Sequence, residues 1–227
     1  MSMKVYSRRK LMAENYVGHA PTGYKWVDYI ENTSTAFINT GVAANVISRI
    51  ECSMRMNTLR DNGSANNYFG NQGSQLLLKV LINSRFHINW HSTSNVYDFN
   101  NNVWNQRITI ICDYPSNRAT IGITTKSMRA QAITETSNLL IMRRGTDTTS
   151  LNFSGFMTCW RFKVYGTDGI LIRDYVPIMR LSDSKYGLWD KVNKTFNVSP
   201  NGVNFAGGGK CLSINDLCRF FGERRAA

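Results

Sequence analysis

The stretch that decides the fold is GLWDKVNKTFN (187–197), close behind the proline-bearing RDYVPIMR (173–180). It holds no catalytic motif. A glycine, an aromatic, an aspartate, a basic run and a second aromatic read as a tight, turn-rich β-ribbon. Gly187 is expected to supply an unusual backbone angle at the turn, and Leu188 and Phe196 to pack inward. Asp190 can accept hydrogen bonds from nearby backbone N–H groups and so fix the turn, with Arg173 and Asp174 in the same network. Arg173, Asp174, Pro177, Gly187, Trp189 and Asp190 together make a structural ribbon that closes a larger β-structure.

The chain ahead of the ribbon has the same texture. In SRIECSMRM (48–56), Ile50, Cys52, Met54 and Met56 fall on one strand face and Arg49, Glu51, Ser53 and Arg55 on the other. KWVDYIEN, TAFINTGV, YFGN, QLLLKVLI, RFHINW, LLIMRRG, SGFMTCWRFKVY and ILIRDYVPIM add further strand candidates. DNGSANN (61–67) and VYDFNNNVWNQ (96–106) carry turns. RITIICDY and RATIGITT predict a hairpin around PSN (115–117). Helix signals are confined to SINDLCRFF (213–221), where Ser213 can cap and Leu217, Phe220 and Phe221 would line one side. Two packed antiparallel sheets are the natural outcome.

CWRFKVYGTDGILIRDYVPIMRLSDSKYGLWDKVNKTFN (159–197), followed by GVNFAGGG (202–209), resembles the C-terminal signature of the concanavalin A-like lectin/glucanase (laminin-G-like) jelly rolls of phage and gut-bacterial proteins. Val164-Tyr165 through Gly169 match the hairpin, and Leu171, Arg173, Asp174, Val176 and Pro177 the proline strand. Gly187, Leu188, Trp189, Asp190, Lys191, Val192 and Phe196 match the ribbon, with Phe205 and Gly207 at its end. YIENTSTAFINTGV (29–42) is similar to the family's opening. Trp189 stands where the pattern usually has Tyr, and Asn39 where Asp is frequent. The resemblance implies an all-β jelly-roll β-sandwich of two antiparallel sheets. The expected organisation is an N-terminal basic arm (1–25), the jelly-roll domain (26–209) and a basic tail with a short C-terminal helix (210–227).

The chain of 227 residues is 42% hydrophobic, enough for a sizeable core, and carries a net charge of +12. Such charge favours acidic partners. It gathers partly at the ends: Arg8, Arg9 and Lys10 in the arm, and Arg219, Arg224 and Arg225 beside Phe220 and Phe221 in the tail. These ends are read as partner-docking arms. Cys52, Cys112, Cys159, Cys211 and Cys218 are odd in number and lack a CxxC pair, so buried free thiols are expected rather than a zinc site. Cys211 and Cys218 could pair under oxidising conditions. MSMKVYSRRKLMAENY (1–16) has no apolar core of a signal peptide, which predicts a chain synthesised in the host cytoplasm with no membrane insertion.

Catalysis is not expected. Glycoside hydrolysis needs two carboxylates facing one cleft, and the E-x-D-x-x-E of jelly-roll glucanases is missing. Asp28 and Glu31 have a spacing that puts them on opposite strand faces. His87 and His91 would stand roughly 13 Å apart on a strand, too far for one metal. No metal or other cofactor is expected, although DNGSANN offers oxygen ligands that calcium could take. Phosphate-binding glycine loops and nucleic-acid-reading motifs are missing, so sequence-specific nucleic-acid binding is excluded. Trp90, Trp104, Tyr68 and Tyr97 lie in Asn-rich surroundings suited to sugar stacking, which makes them the carbohydrate-binding candidates. The resemblance implies, as the leading expectation, a non-enzymatic virion structural protein (capsid decoration, head-fibre or tail-associated) that self-associates, contacts other virion proteins and can adhere to host surface polysaccharide. A carbohydrate-binding module is the alternative, and a glycan-cleaving hydrolase the third.

Overall fold

The structure, a computed structural model, describes residues 19–32, 34–57, 66–80, 85–91, 93–98, 105–145 and 156–209. These form β1 (Tyr24–Trp26), β2 (Tyr29–Glu31), β3 (Ile38–Ala43), β4 (Ile47–Met56), β5 (Asn66–Gly70), β6 (Leu76–Val80), β7 (Arg85–Trp90), β8 (Thr93–Asp98) and β9 (Ile108–Asp113). They continue with β10 (Arg118–Ile121), β11 (Thr124–Ser127), β12 (Asn138–Ile141), β13 (Met157–Gly166), β14 (Leu171–Arg180), β15 (Tyr186–Asp190), β16 (Thr195–Asn197) and β17 (Ala206–Gly208). A 3-10 turn, Ala44–Val46, links β3 to β4. The expected C-terminal helix, Cys211, Cys218, Trp104, most of the N-terminal arm and residues 61–65 lie outside the described residues.

The described strands make a sandwich of two antiparallel sheets. One has eleven strands, with the path β11-β10-β9-β4-β13-β14-β15-β16 and β1, β2 and β17 alongside. The other has six, in the order β3-β12-β5-β6-β7-β8. The alternation at 48–56 builds the middle of the larger sheet. Ile50, Cys52 and Met54 lie opposite Val164, Phe162 and Cys159 of β13 on one side, and Cys112, Ile110 and Ile108 of β9 on the other. These side chains pack against the smaller sheet, where Phe69 meets Phe162 edge-on at 5.5 Å. The opposite face of β4 is polar. Arg49 pairs with Glu51 at 2.5 Å and with Asp113 at 3.7 Å, and Lys163 reaches Glu51 at 3.5 Å.

β13 and β14 pair only over Phe162–Tyr165. Beyond that they part. β2 takes up the free edge of β13, with Thr158 opposite Glu31, and β1 takes up β14, with Tyr24 opposite Arg180. β17 then pairs with β2. The first and last described strands thus enter the middle of the larger sheet. A bulge between Cys159 and Arg161 marks this junction. Trp160 lies there beneath the Arg107 guanidinium, 4.7 Å from its ring centroid, with Arg55 at 6.0 Å.

The ribbon is the hairpin β15–β16 plus its pairing with β14. Asp190 is 1% exposed. Its Oδ1 accepts the backbone N–H groups of Asp174 (3.2 Å) and Val192 (3.0 Å), and its Oδ2 accepts from Asn193 Nδ2 (2.6 Å). Arg173 Nε lies 3.5 Å from Asp190 Oδ2, while the Asp174 carboxylate is held separately by both arms of Arg161 at 2.8 Å. Pro177 lies in β14 opposite Leu188, and Leu188 is in the core. Two expectations are corrected. Gly187 has no left-handed backbone angle. Its need is space, because a Cβ there would meet the Asn197 carbonyl oxygen and come within 2.7 Å of the Phe196 ring. Phe196 does not pack inward, since it stands opposite Trp189 on the face away from Leu188. There Tyr24 lies 5.5 Å from Trp189 and 5.1 Å from Phe196, and Arg180 sits 5.2 Å over Phe196. Val176 lies opposite Trp189 and Ile178 opposite Gly187, and both are fully buried although outside the main core. Trp189 therefore caps a small outer cluster.

Candidate functional site

Of the four aromatic candidates, Tyr68 and Trp90 are withdrawn as sugar platforms. They are 0% and 1% exposed, and Trp90 stacks on Tyr114 at 6.1 Å inside the molecule. Their apolar area is worth more in the core than in water. Tyr97 lies on β8 opposite Phe86. The calcium reading loses its last two amides, since Asn66 and Asn67 are buried on β5. Among the described residues no cluster of three His, Cys, Asp or Glu could hold a metal. His91 leaves β7 altogether and occupies a left-handed turn position at φ 64°. Arg8, Arg9, Lys10, Arg219, Phe220, Phe221, Arg224 and Arg225 lie outside the described residues.

The polar groups that do converge lie on the six-stranded sheet. Its inner row is Ile38, Ile141, Phe69, Leu78 and Ile88, all core. By alternation the neighbouring row faces away. That row runs Asn39, Leu140, Gly70, Leu77 and Asn89 across five strands. A second row sets Asn67, Lys79 and His87 side by side, with Asn67 buried. Leu77 and Leu140 are buried and form a floor, while Lys79, His87 and Asn89 are half-buried.

Arg144 completes the face. It follows β12 and crosses over Gly70, where an added Cβ would come within 3.2 Å of the Arg144 Cβ and 2.9 Å of Leu77 Cδ1. Glycine is required here for close approach. Arg144 Nη1 donates to Ser74 Oγ at 2.9 Å, and Asn89 Nδ2 donates to the Ser74 carbonyl at 3.1 Å. Ser74 is thus the link between them. It sits at φ 58° in the β5–β6 turn, which Asn71 fixes by accepting the Leu76 N–H at 2.9 Å. The segment ahead of β12 is tied to the same turn, because Gln75 Oε1 accepts the N–H groups of Thr134 (2.9 Å) and Glu135 (3.0 Å).

Two neighbouring cations shape the local electrostatics. Burial, and then the Arg144 charge, push the Lys79 amine below its ordinary pKa, and burial lowers Arg144 as well. Among the described residues no carboxylate lies within ion-pair range of Lys79. Asn89 Oδ1 is buried with no donor among them. Neither of these two rows carries a carboxylate among the described side chains. Amide, imidazole and cationic donors over a leucine floor suit a ligand rich in hydroxyl or anionic oxygen.

In the sequence His87 is weighed only as a metal ligand, and Ser74, Lys79, Asn89 and Arg144 carry no site signal. The alternation of RFHINW does place His87 and Asn89 opposite Phe86 and Ile88 in facing. Their partners come from β6, β12 and the 71–75 turn, and only strand register reveals those.

No protein-family model matches this chain, and no curated protein matches it. Among solved structures the chain is similar to a "putative carbohydrate binding protein" from Bacteroides ovatus ATCC 8483. Identity is 13% and the TM-score 0.53, over 82% of this chain and 61% of that one. At this identity the likeness shows the fold, a β-sandwich. The chain spans 61% of that protein's length.

Proposed function

We propose that the chain is a carbohydrate-binding domain without catalytic activity, built on a concanavalin A-like jelly roll. It binds through the outward face of the six-stranded sheet. The observation that carries this reading is the convergence of Lys79, His87, Asn89 and Arg144 on that face, with Ser74 joining the last two. The likeness in fold to a protein described as carbohydrate binding supports it. In this reading sugar hydroxyls exchange water for the amide, imidazole and cationic groups, each such bond contributing about 1 kcal/mol net. The virion role that the family resemblance implies draws on basic ends that lie mostly outside the described residues, and the fold adds nothing to it.

The test is calorimetry with a panel of soluble oligosaccharides. His87→Ala and Asn89→Ala should each weaken binding about fivefold or more, from the loss of one hydrogen bond. Thr125→Ala, on the exposed strand β11 of the other sheet, should bind as the parent does. No release of reducing ends should accompany binding. Equal affinity in all three variants would remove this face as the site.

A further inference from the structure

We propose, building on the carbohydrate-binding reading, that the ligand is an acidic saccharide whose carboxylate or sulfate group is taken by Lys79 and Arg144. The setting of Lys79 is what points there. Several half-buried cations of the larger sheet have a carboxylate partner: Arg49 and Lys163 share Glu51, Arg161 has Asp174 and Arg173 has Asp190. Lys79 has no such match among the described residues, although it is half-buried and stands two residues along β6 from Leu77, which meets Arg144 over Gly70. Withdrawing a cation from water without a counter-charge is unfavourable. So is setting it near a second cation. An anion placed between them relieves both costs at once.

The geometry suits a fixed anion site rather than a diffuse one. Arg144 is held over Gly70 by the Ser74 hydroxyl, so its guanidinium is positioned before any ligand arrives. Lys79 stands directly opposite the half-buried His87 on β7, whose imidazole can accept from or donate to a sugar hydroxyl beside the acid group. The net charge of +12 adds long-range attraction for a polyanion, which speeds encounter but does not choose a site.

The experiment measures affinity of the full chain for three oligosaccharides of equal length: an oligouronate, a sulfated oligomer and a neutral oligomer. Each is measured at about 0.15 M and at higher salt, where surface attraction is screened. Lys79→Gln should weaken the preferred acidic oligomer about tenfold, the loss of one charge-assisted contact. Lys79→Arg keeps the charge and should retain most of the affinity, which also shows that the position tolerates change. Lys126→Gln removes the same charge from exposed β11 and should have no effect. Preference between the uronate and the sulfate ester identifies the acid group. Equal losses in Lys79→Gln and Lys126→Gln would mean net charge alone and overturn the inference. Neutral oligomer bound as tightly as the acidic ones would also overturn it, leaving the carbohydrate-binding reading in place. Binding of none of the three would sink both.

Discussion

At the scale of single residues, Asp190 carries more of the fold than its small side chain suggests. It satisfies two backbone N–H groups and the Asn193 amide, and neutralises Arg173. Asp190→Ala leaves these donors without an acceptor in a buried place and should cost about 3 kcal/mol in urea unfolding. Asp190→Asn, which keeps one oxygen, should cost less. Gly187→Ala tests space rather than conformation. Its methyl would meet the Asn197 carbonyl and the Phe196 ring, so β16 must move, at about 2 kcal/mol. Asp183 is different because it is exposed. Its bidentate grip from Arg180, at 2.9 and 2.6 Å, holds its carboxyl down at about 2. A lowered folded pKa means the contact stabilises above the ordinary carboxylate range and is lost as pH falls through about 2. A carboxyl NMR titration of Asp183 that gave an ordinary midpoint near 4 would show the grip to be absent in solution.

At the scale of elements, β4, β9 and β13 each bring a cysteine into the core. Burial pushes the Cys112 and Cys159 thiols up to about 12, and burial followed by the neighbouring Cys159 and Cys112 raises Cys52. At pH 8 these three should resist alkylation in the folded protein and react on unfolding, as peptide mapping by mass spectrometry would show. Cys52 in β4 was legible as an inward residue because its strand alternates strictly, polar against apolar. The 108–125 hairpin was legible through its turn residues, with Asn117 in the left-handed region. The ribbon was legible in outline and misread in facing. Phe196 is apolar, and nothing local distinguishes the main core from a small cluster on the outer face. The same limit hid the site. Asn39, Gly70, Leu77, Asn89 and Leu140 share one row, but they come from five strands whose register a single sequence does not display.

At the scale of the whole molecule, the two sheets divide the work. The larger one carries ion pairs such as Arg161–Asp174 and Arg173–Asp190, while the smaller one holds Lys79, with Arg144 crossing over it. Raising salt should therefore slow association with an acidic oligosaccharide more than it speeds dissociation, because steering is screened while the buried contacts are not. Stopped-flow rates at several ionic strengths would show it, and dissociation rates climbing in step with salt would argue for surface attraction alone. The entry of β1 and β2 into the middle of the larger sheet has a further consequence, and it concerns time. A ribosome makes Tyr24–Glu31 early, yet β2 finds its partners only when Thr158–Cys159 and then Ala206–Gly208 have followed. The earliest of these strands must wait beside a half-built sheet until nearly the last one arrives. Folding should accordingly be slow for the size of the domain. A nascent chain halted before residue 206 should stay open to protease between residues 24 and 31, long after the 108–125 hairpin has closed.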